Sequence, residues 1–259
     1  MVERDGEERT LAVRLATSPA ELPRQAADIV WLTTKATDTV GASPWLEVLR
    51  GPKTMVASAQ NGLDHQARLA PWVPAEQVIP TLAYIAAERT GPGRVHHIAG
   101  NRLVVPSRSV PLVSDAVAVG GLVVRGTDDM LSASWKKLLG NLVANPITAL
   151  TRRRISVMRE EAIAELGRAL LTEAMTVGRA EGAELSERDV EAVLQATTTY
   201  GEAAGSSMYY DVMAGRPLEH QYLTGEVVRR GRAHGIATPL NTAVLALLDA
   251  LDRGGRLGV

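Results

Sequence analysis

The 259-residue sequence lacks several features that mark particular classes of protein. It contains no cysteine, which excludes a disulfide framework and thiolate chemistry. Its 28 Lys and Arg nearly balance 29 Asp and Glu, and this balance argues against nucleic acid or an anionic membrane as the main partner. No stretch reaches the roughly 20 apolar residues of a membrane span, and residues 1–5 have no apolar run typical of a signal peptide. We therefore expect a soluble, cytoplasmic protein with no membrane partner.

The first half of the sequence predicts β-strands alternating with helical stretches. Residues 10–16 alternate like a strand, and the apolar runs 27–35, 53–59 and 77–83 are typical of buried parallel strands. We expect a helix between the first two runs, a hairpin or pair of strands over 93–106, and a short strand over 118–124. This βαβ order predicts a parallel sheet that binds ligands beyond the carboxyl ends of its strands, which is where Lys35 and Asn61 fall.

The second half predicts helices only. Expected helices cover 131–151 and 157–182, and another begins at Ser186, where Asp189 completes a near-capping box. A further helix is expected from Pro217, with Glu219 in its first turn, to Gly235, and the last helix opens at Pro239. We therefore divide the chain into an α/β part, residues 1–125, and an all-α part, residues 126–259.

One helix carries an unusual polar stripe. Lys137, Asn141 and Asn145 recur every four residues, which places them on one helical face. Asparagine is a poor residue for a helix interior, and a solvent-facing stripe is the more common explanation. Because the flanking residues are almost all apolar, we expect this helix to be buried on most sides. A buried lysine beside two amides is a candidate proton donor.

A second group of candidate residues lies further along the helical half. Ser207 and Asp211 are four residues apart, and Glu219 follows a proline. Each has an ordinary structural explanation, because serines cap helices and carboxylates complement the helix dipole. Their spacing alone does not indicate catalysis. The adjacent His96 and His97 would point to opposite faces of a strand, so we expect no metal site there.

These segments together resemble the ketopantoate reductase (2-dehydropantoate 2-reductase) family over nearly the whole chain. The specific motifs are Trp-x-Lys-Leu-x-x-Asn-x-x-x-Asn-Pro at 135–146, and Ser-Ser-Met-x-x-Asp at 206–211 followed by Glu219. Weaker matches are the strand ending in Thr-Lys-Ala at 34–36, Gln-Asn-Gly-Leu at 60–63, and the run from Arg229 to Asn241. The resemblance implies a Rossmann-like sheet followed by a helical domain of the 6-phosphogluconate dehydrogenase C-terminal type.

The family reduces 2-dehydropantoate to (R)-pantoate with NADPH, a step of pantothenate and coenzyme A biosynthesis. By resemblance, Lys137 is the proton donor and Glu219 is the carboxylate that hydrogen-bonds the nascent hydroxyl. The resemblance further implies that Asn141, Asn145, Ser207 and Asn61 bind substrate, and that Lys35 and Asn61 contact the cofactor. It implies a small 2-oxo acid as partner and is compatible with a homodimer.

The sequence departs from the family at one important point. It contains no Gly-x-Gly-x-x-Gly turn, the motif that receives the pyrophosphate after the first strand. Residues 1–125 therefore resemble a truncated NADP-binding domain, and residues 126–259 the substrate and catalytic domain. We expect the 259-residue chain to bind NADPH weakly or not at all. Two other hypotheses stay open: a non-catalytic helical module for dimerisation or ligand binding, and a reductase of another 2-oxo acid.

Overall fold

The computed structural model describes residues 2–4, 7–23 and 25–257, and their contacts divide the chain into two compact units. The first unit comprises Met1–Thr34, Asp38–Gln60 and Asp64–Met130. The second comprises Leu131–Val259 together with two short segments, Lys35–Thr37 and Asn61–Leu63. Each short segment directly follows the loop at the carboxyl end of a parallel strand.

The first unit contains two β-sheets. In one, strands β3 (Ile29–Leu32), β4 (Met55–Ser58) and β5 (Val78–Pro80) lie side by side, and every pair is parallel. The other has the order β2-β1-β7-β6, with β8 paired in parallel to β7. Its strands are β1 (Val2–Arg4), β2 (Glu7–Arg9), β6 (Leu82–Gly91), β7 (Arg94–Pro106) and β8 (Val123–Thr127).

The parallel sheet is covered on both faces, which explains why its strands are continuous apolar runs. One face, with Leu32 and Val56, packs against helices α1 (Thr39–Leu49) and α2 (His65–Leu69). The opposite face, with Ala57 and Ile79, packs against β7 and helix α3 (Val110–Val117). Side chains alternate between these two environments because successive residues of a strand point to opposite faces.

Several of the predicted strands are confirmed and others need correction. The runs 27–35 and 53–59 contain β3 and β4, whereas the run 77–83 is divided between β5 and β6. The hairpin or pair of strands expected within 93–106 is wrong, because Arg94–Pro106 forms a single strand, β7, whose antiparallel partner is β6. The strand expected over 118–124 begins only at Val123. Residues 10–16 have no regular structure, and the prediction of a strand there was wrong.

The second unit is built from helices, as the sequence predicts. They are α4 (Met130–Thr151), α5 (Glu161–Ala180), α6 (Glu187–Thr199), α7 (Ser207–Met213), α8 (Thr224–Ala233) and α9 (Pro239–Leu257). Their buried faces form one core that includes Trp135 and Leu139 of α4 and Leu170 and Leu171 of α5. The structure confirms the capping box of Ser186 and Asp189 at the start of α6. In the described part of the chain, no helix is long and apolar enough to cross a membrane.

The stretch expected to be one helix from Pro217 is different in the structure. A short 3-10 turn occupies His220–Tyr222, and α8 begins only at Thr224, after Leu223 with a non-helical backbone (φ −118°, ψ −90°). Glu219 therefore precedes a turn and does not lie in the first turn of an α-helix. Its backbone is not fixed by a helical ladder of hydrogen bonds, so its side-chain position depends on specific contacts.

Candidate active site

Lys137 lies half-buried on α4, between the fully buried side chains of Trp135 and Leu138. Its Nζ donates a hydrogen bond to Asn61 Oδ1 at 3.0 Å. Burial lowers the pKa of Lys137 from its usual 10.5 to about 8, and the negative charge of Glu219 opposes this shift. The ammonium is therefore a much stronger acid than an exposed lysine, yet it is still mostly protonated near neutral pH.

Asn61 joins Lys137 to Glu219. Its Nδ2 donates to Glu219 Oε2 at 3.3 Å while its Oδ1 accepts from Lys137. This orientation of the amide follows from chemistry, because an ammonium can only donate and a carboxylate can only accept. Asn61 comes three residues after the end of β4, and so it occupies the carboxyl-end position where ligands of parallel sheets are expected.

The carboxylate of Glu219 is buried, with 8% of the residue exposed. Its Oε1 accepts a hydrogen bond from the backbone N–H of Ala36 at 2.8 Å, and its Oε2 accepts from Asn61. A buried carboxylate is stable only when hydrogen bonds or a cation replace its hydration. Glu219 accepts hydrogen bonds from two neutral donors, the Ala36 N–H and the Asn61 amide. The positive charge of Lys137 also attracts it electrostatically.

Lys35 is the predicted cofactor contact, and the structure places it in an ion pair. Its Nζ lies 2.5 Å from Asp211 Oδ2 and donates to the carbonyl oxygen of Pro217 at 3.2 Å. Asp211 is buried and also accepts from Arg216 Nε at 2.9 Å. The spacing of Asp211 from Ser207 does not indicate this ion pair, because Lys35 lies far away in the chain.

Asn141, Asn145 and Ser207 form a second polar group further along the same face of α4. Asn145 Nδ2 donates to Asn141 Oδ1 at 3.4 Å, and Ser207 Oγ donates to Asn145 Oδ1 at 3.2 Å. The helical rise places Asn145 about 12 Å along the axis from Lys137. Ser206 caps α7 by accepting from the N–H of Tyr209 at 3.1 Å, and this cap holds Ser207 at the start of that helix.

The described residues therefore bring Lys137, Asn61 and Glu219 together through hydrogen bonds. Asn141 and Asn145 of α4 make a separate hydrogen-bonded group with Ser207, the first residue of α7. A further contact, the backbone N–H of Ala36, could not have been found from residue type, because every residue except proline has that donor. The whole arrangement can hold a small polar molecule and give a proton to an oxygen on which negative charge develops.

Two protein-family models match the chain. The model described as "Ketopantoate reductase PanE/ApbA" matches residues 1–109, and "Ketopantoate reductase PanE/ApbA C terminal" matches residues 129–252. The 2-dehydropantoate 2-reductase of Caulobacter vibrioides is 37% identical over 238 residues, which cover 92% of this chain and 81% of that protein.

The chain is also similar to solved structures of ketopantoate reductases over most of its length. The PanE/ApbA family ketopantoate reductase from Ralstonia eutropha has a TM-score of 0.88 and 28% identity, covering 98% of this chain and 85% of that one. A dimeric ketopantoate reductase from Staphylococcus aureus has a TM-score of 0.83 and 28% identity, covering 91% of this chain and 81% of that one. The similarity extends over both the α/β part and the helical part.

Proposed function

Because this chain belongs to the ketopantoate reductase family, we propose that it reduces 2-dehydropantoate to (R)-pantoate with NADPH. The observation that supports this function most directly is the hydrogen-bonded set of Lys137, Asn61 and Glu219. Reduction of a ketone adds a hydride to carbon and a proton to oxygen. A half-buried lysine with a lowered pKa is suited to supply that proton.

In the proposed mechanism Lys137 approaches the ketone oxygen and stabilises the negative charge that develops there. It then transfers its proton to that oxygen, which becomes the hydroxyl of the product. Glu219 favours the protonated form of Lys137 and accepts a hydrogen bond from the new hydroxyl. Asn61 holds Lys137 and Glu219 close to each other, because its amide is hydrogen-bonded to both side chains.

Substrate binding is assigned to Asn61 and to the second polar group, in which Asn141, Asn145 and Ser207 contact the polar end of the 2-oxo acid. Ser207 and Asn145 are already hydrogen-bonded to each other, so their side chains lose little conformational entropy when a ligand binds. We assign cofactor binding to residues 1–125, which also supply Asn61 to the substrate, and the other substrate contacts and proton transfer to residues 126–259. By likeness to the dimeric enzyme from Staphylococcus aureus, we also propose a homodimer, which light scattering would test.

The residues present fit the reacting end of a nicotinamide cofactor. Lys35 and Asn61 follow the carboxyl ends of two neighbouring parallel strands, where such cofactors bind. A bound reduced nicotinamide supplies the hydride, which no side chain of the protein can provide. The 259 residues contain no Gly-x-Gly-x-x-Gly turn, the motif that binds the pyrophosphate in Rossmann-like domains.

The test is a steady-state assay with 2-dehydropantoate, in which NADPH consumption and pantoate formation are both measured. NADPH should be used at millimolar concentration, since weak pyrophosphate binding raises its KM more than it lowers kcat. We expect equal amounts of NADP and pantoate, and loss of both in Lys137→Ala. The function would be refuted if the wild type formed no pantoate both as the chain alone and when joined to a glycine-rich βαβ unit from a relative. Faster turnover of a shorter 2-oxo acid would instead identify a reductase of different specificity.

A further inference from the structure

Asp211 is a buried carboxylate that connects two parts of the chain. Its Oδ2 lies 2.5 Å from Lys35 Nζ, and its Oδ1 accepts from Arg216 Nε at 2.9 Å. The backbone N–H of Arg216 also donates to the Asp211 carbonyl at 2.8 Å. Asp211 thus contacts Arg216, the first residue of the stretch 216–219 that ends in Glu219. It also contacts Lys35, which lies 176 positions earlier in the chain (211 − 35).

Lys35 and its neighbour Ala36 hold the other end of this stretch. Lys35 Nζ donates to the carbonyl of Pro217 at 3.2 Å, and the N–H of Ala36 donates to Glu219 Oε1 at 2.8 Å. Two consecutive residues therefore bind two positions on either side of Leu218. Because no regular secondary structure fixes residues 216–219, these contacts set where the Glu219 carboxylate lies.

We propose that Asp211 is a positioning residue for Glu219. Its ion pair with Lys35 fixes residues 35–36, and the N–H of Ala36 then holds the Glu219 carboxylate against Asn61. This inference rests on the proposed function, in which Glu219 acts on Lys137 through Asn61. Asp211 touches neither substrate nor reacting atoms in this scheme.

Other charged groups border the same stretch, but their contacts differ. Asp252 accepts from the N–H of Leu218 at 2.9 Å, and Asp249 pairs with His220 at 2.8 Å. Arg216 is itself a partner of Asp211. Asp211 differs from the other two carboxylates because its ion pair acts on Lys35, which immediately precedes the donor to Glu219. The effect of Asp211 should therefore reach Lys137 only through Glu219.

The test measures the protonation of Lys137 directly and needs no catalytic activity. The chain contains only four lysines, so ¹³C-labelled lysine gives few side-chain signals, and Lys137→Met assigns the relevant one. Titration of its Cε shift in the full chain yields the pKa. We expect about 8 in the wild type and a lower pKa in Glu219→Gln, because the carboxylate that favours the ammonium is lost. Asp211→Asn should also lower the pKa of Lys137, by at least half of the decrease that Glu219→Gln causes.

A double variant and a matched control separate positioning from general damage. If Asp211 acts through Glu219, the double variant Asp211→Asn/Glu219→Gln should have the same Lys137 pKa as Glu219→Gln alone. The control is Glu173→Gln, since Glu173 caps α9 by accepting from the N–H groups of Leu240 and Asn241, each at 2.9 Å. It should lower stability and leave the Lys137 pKa unchanged.

Three results would overturn the inference. They are an unchanged Lys137 pKa in Asp211→Asn while Glu219→Gln lowers it, additive effects in the double variant, and an equal shift in the Glu173→Gln control. Circular dichroism would establish that each variant is folded. Because the titration needs neither NADPH nor substrate, its outcome is independent of whether the chain reduces 2-dehydropantoate. If neither the chain alone nor its fusion to a glycine-rich βαβ unit forms pantoate while the pKa shifts, the proposed function is refuted and the positioning role stands.

Discussion

Replacing Lys137 by methionine should make the protein more stable near pH 7 and nearly inactive. Methionine is also unbranched and keeps most of the length of the side chain, but it carries no charge. The pKa of Lys137 falls from 10.5 to about 8, so the fold disfavours the charged form by roughly 3 kcal/mol, at about 1.4 kcal/mol per pKa unit. Solvent around the half-buried side chain and the lost bond to Asn61, about 1–2 kcal/mol, reduce this gain. We expect a net increase of about 1 kcal/mol.

The pH dependence of this difference follows from the direction of the pKa shift. Below about pH 8 both the folded and the unfolded protein hold the proton, and the cost of the buried charge is fully present. Between about 8 and 10.5 the folded state releases the proton while the unfolded chain keeps it, so wild-type stability rises relative to the variant. The advantage of Lys137→Met should therefore shrink toward about pH 10.

Urea unfolding of both proteins near neutral pH and at about pH 10 measures this difference. In parallel, kcat should fall by about 10²–10⁴ in the variant, and wild-type kcat should decline above about pH 8, where Lys137 loses its proton. A variant that is less stable than the wild type near neutral pH, or a stability difference that does not change with pH, would contradict the account of a buried, catalytic ammonium.

Three further predictions concern substrate binding, cofactor binding and packing of the helical core. Asn145→Ala should raise KM for 2-dehydropantoate more than it lowers kcat, because a binding amide acts in ground and transition states alike; a kcat effect as large as that of Lys137→Ala would contradict this. Fluorescence titration should find no saturable NADPH binding at micromolar concentration, since no glycine-rich turn is present to hold the pyrophosphate, and tight binding would mean that another segment supplies this contact. Gly178→Ala should lower the free energy of unfolding by about 1–3 kcal/mol, because the added Cβ would lie 2.5 Å from Leu185 Cδ1 and 3.0 Å from Trp135 Cδ2. Urea unfolding would measure this loss, and an unchanged midpoint would contradict the prediction by showing that the core can adjust.

The sequence predicts best those elements whose signals are local. The capping box at Ser186 and the proline that opens α9 depend on residues within one helical turn, and both are confirmed. The failed strand at 10–16 also has a local pattern, but a strand requires a partner as well as alternation. In the structure its apolar residues Leu11, Val13 and Leu15 are 61%, 67% and 80% exposed, so no neighbouring element buries them.

The candidate site could be predicted by residue type but not by contact. The stripe on α4 follows from a spacing of four residues, and a partly buried lysine follows from its apolar neighbours. The bond from Lys137 to Asn61 spans 76 positions, and that from Ala36 to Glu219 spans 183. No local pattern encodes such pairs, because they arise only when the tertiary structure brings distant segments together.

The make-up of the helical unit has a consequence for any attempt to dissect the protein. Its short segments, Lys35–Thr37 and Asn61–Leu63, are separated in the chain from Leu131–Val259. A fragment that begins at Leu131 would contain Lys137 and Glu219 but would lose Asn61, the amide that links them, and the backbone donor of Ala36. The helices are therefore not a self-sufficient module. A gene fusion that exchanges residues 1–130, or a deletion that removes them, changes part of the polar set around the lysine even though nearly all of α4 and the whole of α5 to α9 are retained.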